Sequence, residues 1–223
     1  MKIIGHRGAK GLRTENTIAS IHTALEYNVN GIEVDVHVTK DNVAVLHHDH
    51  DFTDPSGNKI EIHKTTYKEL LVHKPDMATL EQLFNEVMGR VHITIEIKER
   101  VDVREPARII SAALQHGLKP EDISIASFDF DVLKEAKRLL PSVEVVVNED
   151  WSSIRATYRA RALGTKRLSM GRRWLWTGFL KSMHRRGYQI SPYTVNDPAE
   201  AKKWEPYIYG IFTDYPDRFN KKT

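Results

Sequence analysis

A chain of 223 residues, 40% hydrophobic and 28% charged, has the size and balance of one large globular α/β domain, and no apolar run approaches the roughly 20 residues that a bilayer span needs. The absence of cysteine excludes disulfides, a thiolate nucleophile and a Cys-rich zinc site. The net charge of +3 masks an asymmetry: residues 151–196 carry ten Lys/Arg and no Asp or Glu, which leaves 23 basic against 30 acidic residues, or −7, in the rest of the chain.

In chain order, residues 2–5 form a strand-like run entered directly from Met1, with no long apolar signal core, so the expected location is the cytoplasm. Residues 16–27 have a helical pattern, 32–35 form a second strand, and 43–48 form another β-type run. Asp41-Asn42 suits a tight two-residue turn, both residue types tolerating positive φ, and makes 43–48 the return of a hairpin. In that register opposed residue numbers add to 83, so Asp35 faces His48 and Glu33 faces His50. The irregular stretch 51–77, with Pro55, Gly57 and Pro75, is expected as an insertion over the barrel mouth, suited to leaving-group specificity. There follow helix 80–88, strand 92–97, helix 104–116 stopped at Gly117, strand 123–126, helix 130–139, strands 143–147 and 166–169, helix 175–186 stopped at Gly187, and strands 188–193 and 208–212. Eight strands with intervening helices and no linker predict a single domain over 1–223: an α/β fold, a (β/α)8 TIM barrel with a small insertion (51–77) following a β-hairpin after strand 2.

Such a barrel keeps its reactive groups at the strand ends, and polar residues stand there in this chain. Glu33 and Asp35 are two apart on a strand and leave it on the same side; Glu96 and Lys98 repeat that spacing. Either motif alone fits an ordinary solvated strand or a Lys98 ion pair, but both together, inside apolar strands, bring three carboxylates toward one place. Their mutual repulsion is relieved by a hard divalent cation with oxygen ligands, Mg2+ or Ca2+. His6 closes the first strand and Arg7 follows it, pairing a proton-transfer group with a planar fork of donors that matches a phosphate. Of the cluster His47, His48 and His50, alternation puts His48 and His50 on the carboxylate face and turns His47 away, leaving His48 as the strong candidate and the other two as structural. A helical His-Asp phosphohydrolase site is set aside because His48-Asp49 follows the β-type run 43–46. The basic section 151–196 fits solvated helix faces in its plain reading; its functional reading is a field for an anionic substrate or lipid surface, with Trp174, Trp176 and Phe179 nearby.

With these residues in view, the sequence resembles the glycerophosphodiester phosphodiesterase family over nearly its whole length. The shared segments, in the family's order, are His6-Arg7-Gly8, Glu15-Asn16-Thr17, Glu33-Val34-Asp35-Val36, Thr39-Lys40-Asp41, His48-Asp49, Thr79-Leu80-Glu81, Glu96-Ile97-Lys98, Ser127-Phe128, Thr194-Val195-Asn196 and Thr213-Asp214-Tyr215-Pro216. The resemblance implies catalytic histidines at His6 and His48, metal ligands at Glu33, Asp35 and Glu96, and phosphate or glycerol contacts from Arg7 and Lys98. Four positions depart from the family's pattern: Thr14 replaces its usual proline, Asn42 its glycine, Tyr193 its tryptophan, and Asp54 a frequent arginine. Tyr193 keeps an aromatic wall for glycerol and adds a hydroxyl; Asp54 reverses a charge in the expected leaving-group environment.

The expected activity is metal-dependent hydrolysis of a glycerophosphodiester, such as glycerophosphocholine or glycerophosphoethanolamine, to an alcohol and sn-glycerol 3-phosphate, with His6 as base and His48 as acid. Two other readings stand beside it: a lipid-directed phosphodiesterase of the lysophospholipase D type on the same barrel, and a barrel that binds a phosphorylated ligand without turnover. A small-molecule substrate is the expected partner, with a membrane surface less favoured and nucleic acid not expected, since the basic section matches no recognition motif.

Overall fold

The computed structural model describes residues 1–87, 89–98 and 101–222. Short apolar runs rich in Ile and Val, buried along their whole length or nearly so, form the strands β1 (Lys2–Gly5), β2 (Gly31–Val38), β6 (His92–Ile97), β7 (Ile123–Ser127), β8 (Glu144–Glu149), β9 (Arg167–Gly171), β10 (Gln189–Tyr193) and β11 (Gly210–Thr213). All eight pair in parallel, in the order β10-β9-β8-β7-β6-β2-β1-β11. The remaining seam is bridged by backbone hydrogen bonds from Tyr209 to Ile190 and from Val195 to Phe212, both 2.8 Å. The result is the expected TIM barrel, with helices between the strands.

Helices α1 (Ile18–Glu26), α3 (Leu80–Val87), α4 (Arg104–Gln115), α5 (Phe130–Leu139) and α7 (Thr177–Arg185) fall within the predicted segments; the last predicted residue of 80–88, Met88, lies outside the described residues. Each buries one face on the strands, as Leu80, Leu83, Phe84 and Val87 do in α3. Thr17, Asp129 and Ser152 cap helix starts by accepting backbone N–H groups. The stops assigned to Gly117 and Gly187 coincide with φ of +107° and +78°, a conformation that glycine adopts freely. Two barrel helices lie outside the segments expected from the sequence. The buried face of α6 (Ser153–Leu163) is only Ala156, Ala160 and Leu163, too small a stripe to stand out among arginines, and α8 (Pro198–Trp204) has only seven residues.

The hairpin after β2 forms, but in a different register. β3 (Ala44–Leu46) pairs antiparallel with β2 through Val36–Leu46, His37–Val45 and Val38–Ala44, so opposed numbers add to 82. The connection is a three-residue loop, Lys40-Asp41-Asn42, closed by Asn42 N–H to Thr39 O at 3.0 Å, with Asn42 at φ +63°. Asn42 thus takes the left-handed position suited to the family's usual glycine. The shift places His47 rather than His48 beside Asp35, and His47 N–H donates to the Asp35 carbonyl at 3.1 Å.

Residues 51–77 contain a two-stranded ribbon, β4 (Asp51–Thr53) with β5 (Lys59–Glu61), a single 3-10 turn at Ile62–Lys64, and α2 (Tyr67–His73), started by a Thr66/Glu69 capping box. Ile62, Leu70 and Met77 pack on Val45 of β3 as a separate small core. None of residues 51–77 is among the residues that line the central cavity. Asp54 is instead a turn anchor. It is buried, accepts the N–H groups of Ser56 and Asn58 at 2.9 and 2.8 Å, and lies 2.9 Å from His73 Nδ1.

Candidate active site

Parallel pairing of β2 with β6 makes Asp35 the direct partner of Glu96, and the two-residue pleat repeat puts Glu33 on the same face. One oxygen of each of the three carboxylates lies within 4.8 Å of the others, and all three residues are buried. Asp35 is the best supported. Lys98 Nζ lies 2.6 Å from its Oδ1, Asn16 Nδ2 donates to Oδ2 at 2.8 Å, and Arg7 Nε is 3.1 Å from Oδ2 without hydrogen-bond alignment. Burial pushes its carboxyl up, but Lys98 and Arg7 outweigh it and hold the group below the usual range. Glu96 accepts from Lys98 and from Asn148 Nδ2; burial, opposed by Lys98 and reinforced by Asp35, leaves it raised.

Among the described residues Glu33 has the weakest support, a single side-chain hydrogen bond at 3.0 Å from the backbone N–H of Arg7. Burial, then repulsion from Asp35 and Glu96, pushes its carboxyl well above the usual range. Three carboxylates face two side-chain cations, so one negative charge is left uncompensated among hard oxygen donors, and this set fits a divalent cation. The backbone that carries Arg7 is itself constrained. Arg7 (φ +50°) and Asn16 (φ +57°) adopt the left-handed region, and between them Gly8 (φ +82°) packs so closely on α1 that a Cβ would come within 2.5 Å of Ser20 Oγ.

His6 and His48 both line a cavity of about 290 Å³ together with Arg7, Glu33 and Glu96. His6 Nδ1 lies 2.7 Å from Asp214 Oδ1, and Asn196 Nδ2 donates to Asp214 Oδ2 at 2.9 Å. Asn196 is locked in turn, because its Oδ1 accepts from Thr213 Oγ1 and from the Asp214 N–H. His48 Nδ1 lies 2.7 Å from Asp49 Oδ1, and burial together with Lys98 lowers its proton affinity. Both imidazoles are therefore oriented through Nδ1, and neither Nε2 has a hydrogen-bond partner among the described residues. His48 reaches the cavity by leaving the hairpin after Leu46, not by pleat alternation. His47 packs edge-on against Phe52, and His50 against His37, whose Nε2 lies 3.2 Å from the His48 carbonyl.

The opposite wall is aromatic: Phe128, Tyr193 and Phe212 stack edge to face, and Tyr193 Oη donates to Asp150 at 2.7 Å. Lys98 lines a smaller neighbouring pocket with His50, which shares His48, Glu96 and Phe128 with the central cavity. The basic section is split along the barrel: Arg172 and Arg173 follow the C-terminal end of β9, whereas Arg167 starts that strand and Arg185 ends α7.

Asn148, Asn196 and Asp214 are not among the site residues expected from the sequence. Asn196 and Asp214 stood inside recognised segments, but their function depends on a contact across 18 residues that only barrel closure creates. Asn148 lay one residue past the predicted end of its strand, where a polar residue was the available signal.

A family model described as the glycerophosphoryl diester phosphodiesterase family matches residues 6–218. The chain is 27% identical over 239 aligned positions to the glycerophosphodiester phosphodiesterase of Bacillus altitudinis, covering 97% of this chain and 96% of that one. Among solved structures it is similar to a glycerophosphodiester phosphodiesterase from Thermotoga maritima, with TM-score 0.80, 28% identity and coverage of 98% and 96%. It is also similar in fold to an Oleispira antarctica phosphodiesterase solved in complex with the product sn-glycerol-3-phosphate, with TM-score 0.83, 22% identity and coverage of 98% and 94%.

Proposed function

The chain belongs to the glycerophosphoryl diester phosphodiesterase family, and from that premise we propose that it hydrolyses glycerophosphodiesters, such as glycerophosphocholine or glycerophosphoethanolamine, to an alcohol and sn-glycerol 3-phosphate. The observation that carries this reading is that two carboxylate-oriented imidazoles line one cavity with Glu33 and Glu96, two members of an under-compensated acidic triad completed by Asp35.

In this reading Glu33, Asp35 and Glu96 hold one divalent cation, Mg2+ or Ca2+, which when bound neutralises charge on a phosphate oxygen. Arg7 and Lys98 add positive potential at the same point and orient the carboxylates through their ion pairs. His6 is the base. Its partner Asp214 is only 19% exposed, so the imidazolium formed on taking a proton is stabilised in a poorly hydrated setting. His48, whose partner Asp49 is 72% exposed and whose proton affinity is lowered by burial and Lys98, delivers the proton to the departing alcohol. Tyr193, Phe128 and Phe212 pack the glycerol moiety. The nucleophile is water, acting directly or after the substrate's own 2-hydroxyl has formed a cyclic phosphate.

Product analysis from glycerophosphocholine, with and without chelator, tests this. Choline and sn-glycerol 3-phosphate, lost with chelator and restored by Mg2+ or Ca2+, are expected; phosphocholine and glycerol, or turnover indifferent to chelator, contradict the reading.

A further inference from the structure

Seven large apolar residues are exposed among the described residues, and five of them cluster: Trp151, Ile154, Tyr158, Trp174 and Trp176 lie in the connections that leave β8 and β9 at the barrel mouth and in the first turns of α6. The three tryptophans are 60–68% exposed, whereas the fourth, Trp204, is buried. Scattered exposed side chains are ordinary, but an apolar cluster around a cavity entrance marks an interaction surface. Its rings are held in position. Trp151 and Trp174 contact each other with centroids 6.1 Å apart, and the Trp176 indole lies so close over Gly178 that a Cβ there would meet it at 1.8 Å.

The chemistry of the cluster selects its partner. Trp and Tyr combine an apolar body with a polar edge and settle at the headgroup level of a bilayer, and Ile154 adds an aliphatic contact for acyl chains. Arg155 and Arg172 are paired with Glu149 and Glu200, while Arg173, in the same turn as Trp174, is exposed and has no ion pair among the described residues. Arg159, Arg161 and Lys181 extend the basic character along α6 and α7, with no carboxylate within residues 151–196. With Arg173 unpaired among the described residues, positive charge stands beside the aromatic rim at the mouth, which is complementary to anionic phospholipid. A groove of about 800 Å³ lined by Trp151, Arg173 and Trp174 shares Asp150, Tyr193 and Thr194 with the central cavity, so whatever covers the cluster also reaches the entrance.

We propose that this aromatic and basic rim is a membrane-docking face that seats the barrel mouth on an anionic phospholipid surface. The full chain is mixed with vesicles of phosphatidylcholine alone or with phosphatidylglycerol added, and followed by co-sedimentation and tryptophan emission. Binding to the anionic vesicles, weakened by salt, is expected, with a blue shift and quenching by lipids brominated on the acyl chain. The triple variant Trp151→Ala/Trp174→Ala/Trp176→Ala lowers the partition about a hundredfold or more, and Arg173→Glu lowers it about thirtyfold at low salt. Both variants keep wild-type turnover of soluble glycerophosphocholine, which reports on folding and on the proposed function separately from docking. Absence of binding and blue shift with both vesicle types at low salt overturns the proposal, as does unchanged binding by the triple variant. A blue shift that grows with protein concentration in the absence of lipid assigns the face to a second copy of the chain and overturns it equally.

Discussion

Replacing Asp214 by Asn removes a charge and also inverts a chain of hydrogen bonds. In the native chain Asp214 accepts on both oxygens, from His6 Nδ1 at 2.7 Å and from Asn196 Nδ2 at 2.9 Å. An asparagine has one acceptor oxygen. If that oxygen faces His6, its amide nitrogen meets the amide nitrogen of Asn196, donor against donor; Asn196 resists turning over because its oxygen is held by Thr213 Oγ1 and the backbone N–H of residue 214. If the oxygen faces Asn196, the new amide donates to His6 Nδ1, moves the imidazole proton to Nε2 and leaves no lone pair toward the cavity. In either arrangement the imidazolium loses its carboxylate. Two unit charges about 4 Å apart at an effective dielectric near 20 interact by about 4 kcal/mol, which corresponds to about 10³ in rate. Steady-state release of sn-glycerol 3-phosphate is therefore expected to fall about 10³-fold in kcat for Asp214→Asn, with KM little changed and the melting temperature within a few degrees of wild type. Retention of more than a tenth of wild-type kcat in a folded variant refutes the assignment of Asp214 as the residue that orients His6.

Three further outcomes follow from the same geometry. His6→Ala and His48→Ala each lose about 10² to 10⁴ in turnover of glycerophosphocholine, but a p-nitrophenyl phosphodiester, whose leaving group needs no proton, restores His48→Ala and not His6→Ala; the opposite pattern reverses the roles. His92, bound at Nδ1 to the Glu121 carbonyl and at Nε2 to Ser124 Oγ at the end of the barrel away from the carboxylates, has its proton affinity lowered by burial to about 4. Between pH 6.5 and 4 the unfolded chain therefore binds the extra proton, and stability falls with pH in that window, by about 2 kcal/mol at pH 5; denaturant midpoints at pH 7 and pH 5 should draw together in His92→Gln, and an unchanged gap contradicts this. Gly8→Val forces a Cβ into Ser20 at φ +82° and is expected to destabilise the fold by about 1–3 kcal/mol in a thermal melt, along with loss of activity through Arg7.

The barrel was legible because strand burial is written directly in runs of Ile and Val, and because the pleat repeat fixes Glu33 beside Asp35 whatever the neighbouring strands do. The hairpin register was not. A two-residue turn puts both Asp41 and Asn42 at positive φ whereas the three-residue loop puts only Asn42 there, two residue types that tolerate either, and a shift of one residue exchanges the facing histidine. His48 still reaches the cavity because the chain leaves the strand before the pleat reaches it. The orienting shell, Asp214, Asn196 and Asn148, joins segments that are adjacent only after the ring closes or the strand order is known, and no local pattern encodes that. Asp54 shows the opposite hazard: a charge reversal at a family position suggests altered specificity, while its carboxylate is spent on the turn that builds the insertion.

The central claim is that Glu33, Asp35 and Glu96 share one divalent cation beside His6 and His48. Anomalous diffraction from crystals grown with Mn2+ in place of Mg2+ or Ca2+ tests it directly. A single strong peak in contact with all three carboxylates, absent in Glu33→Gln, is expected; a peak elsewhere, or a well-ordered site without one, contradicts a shared cation.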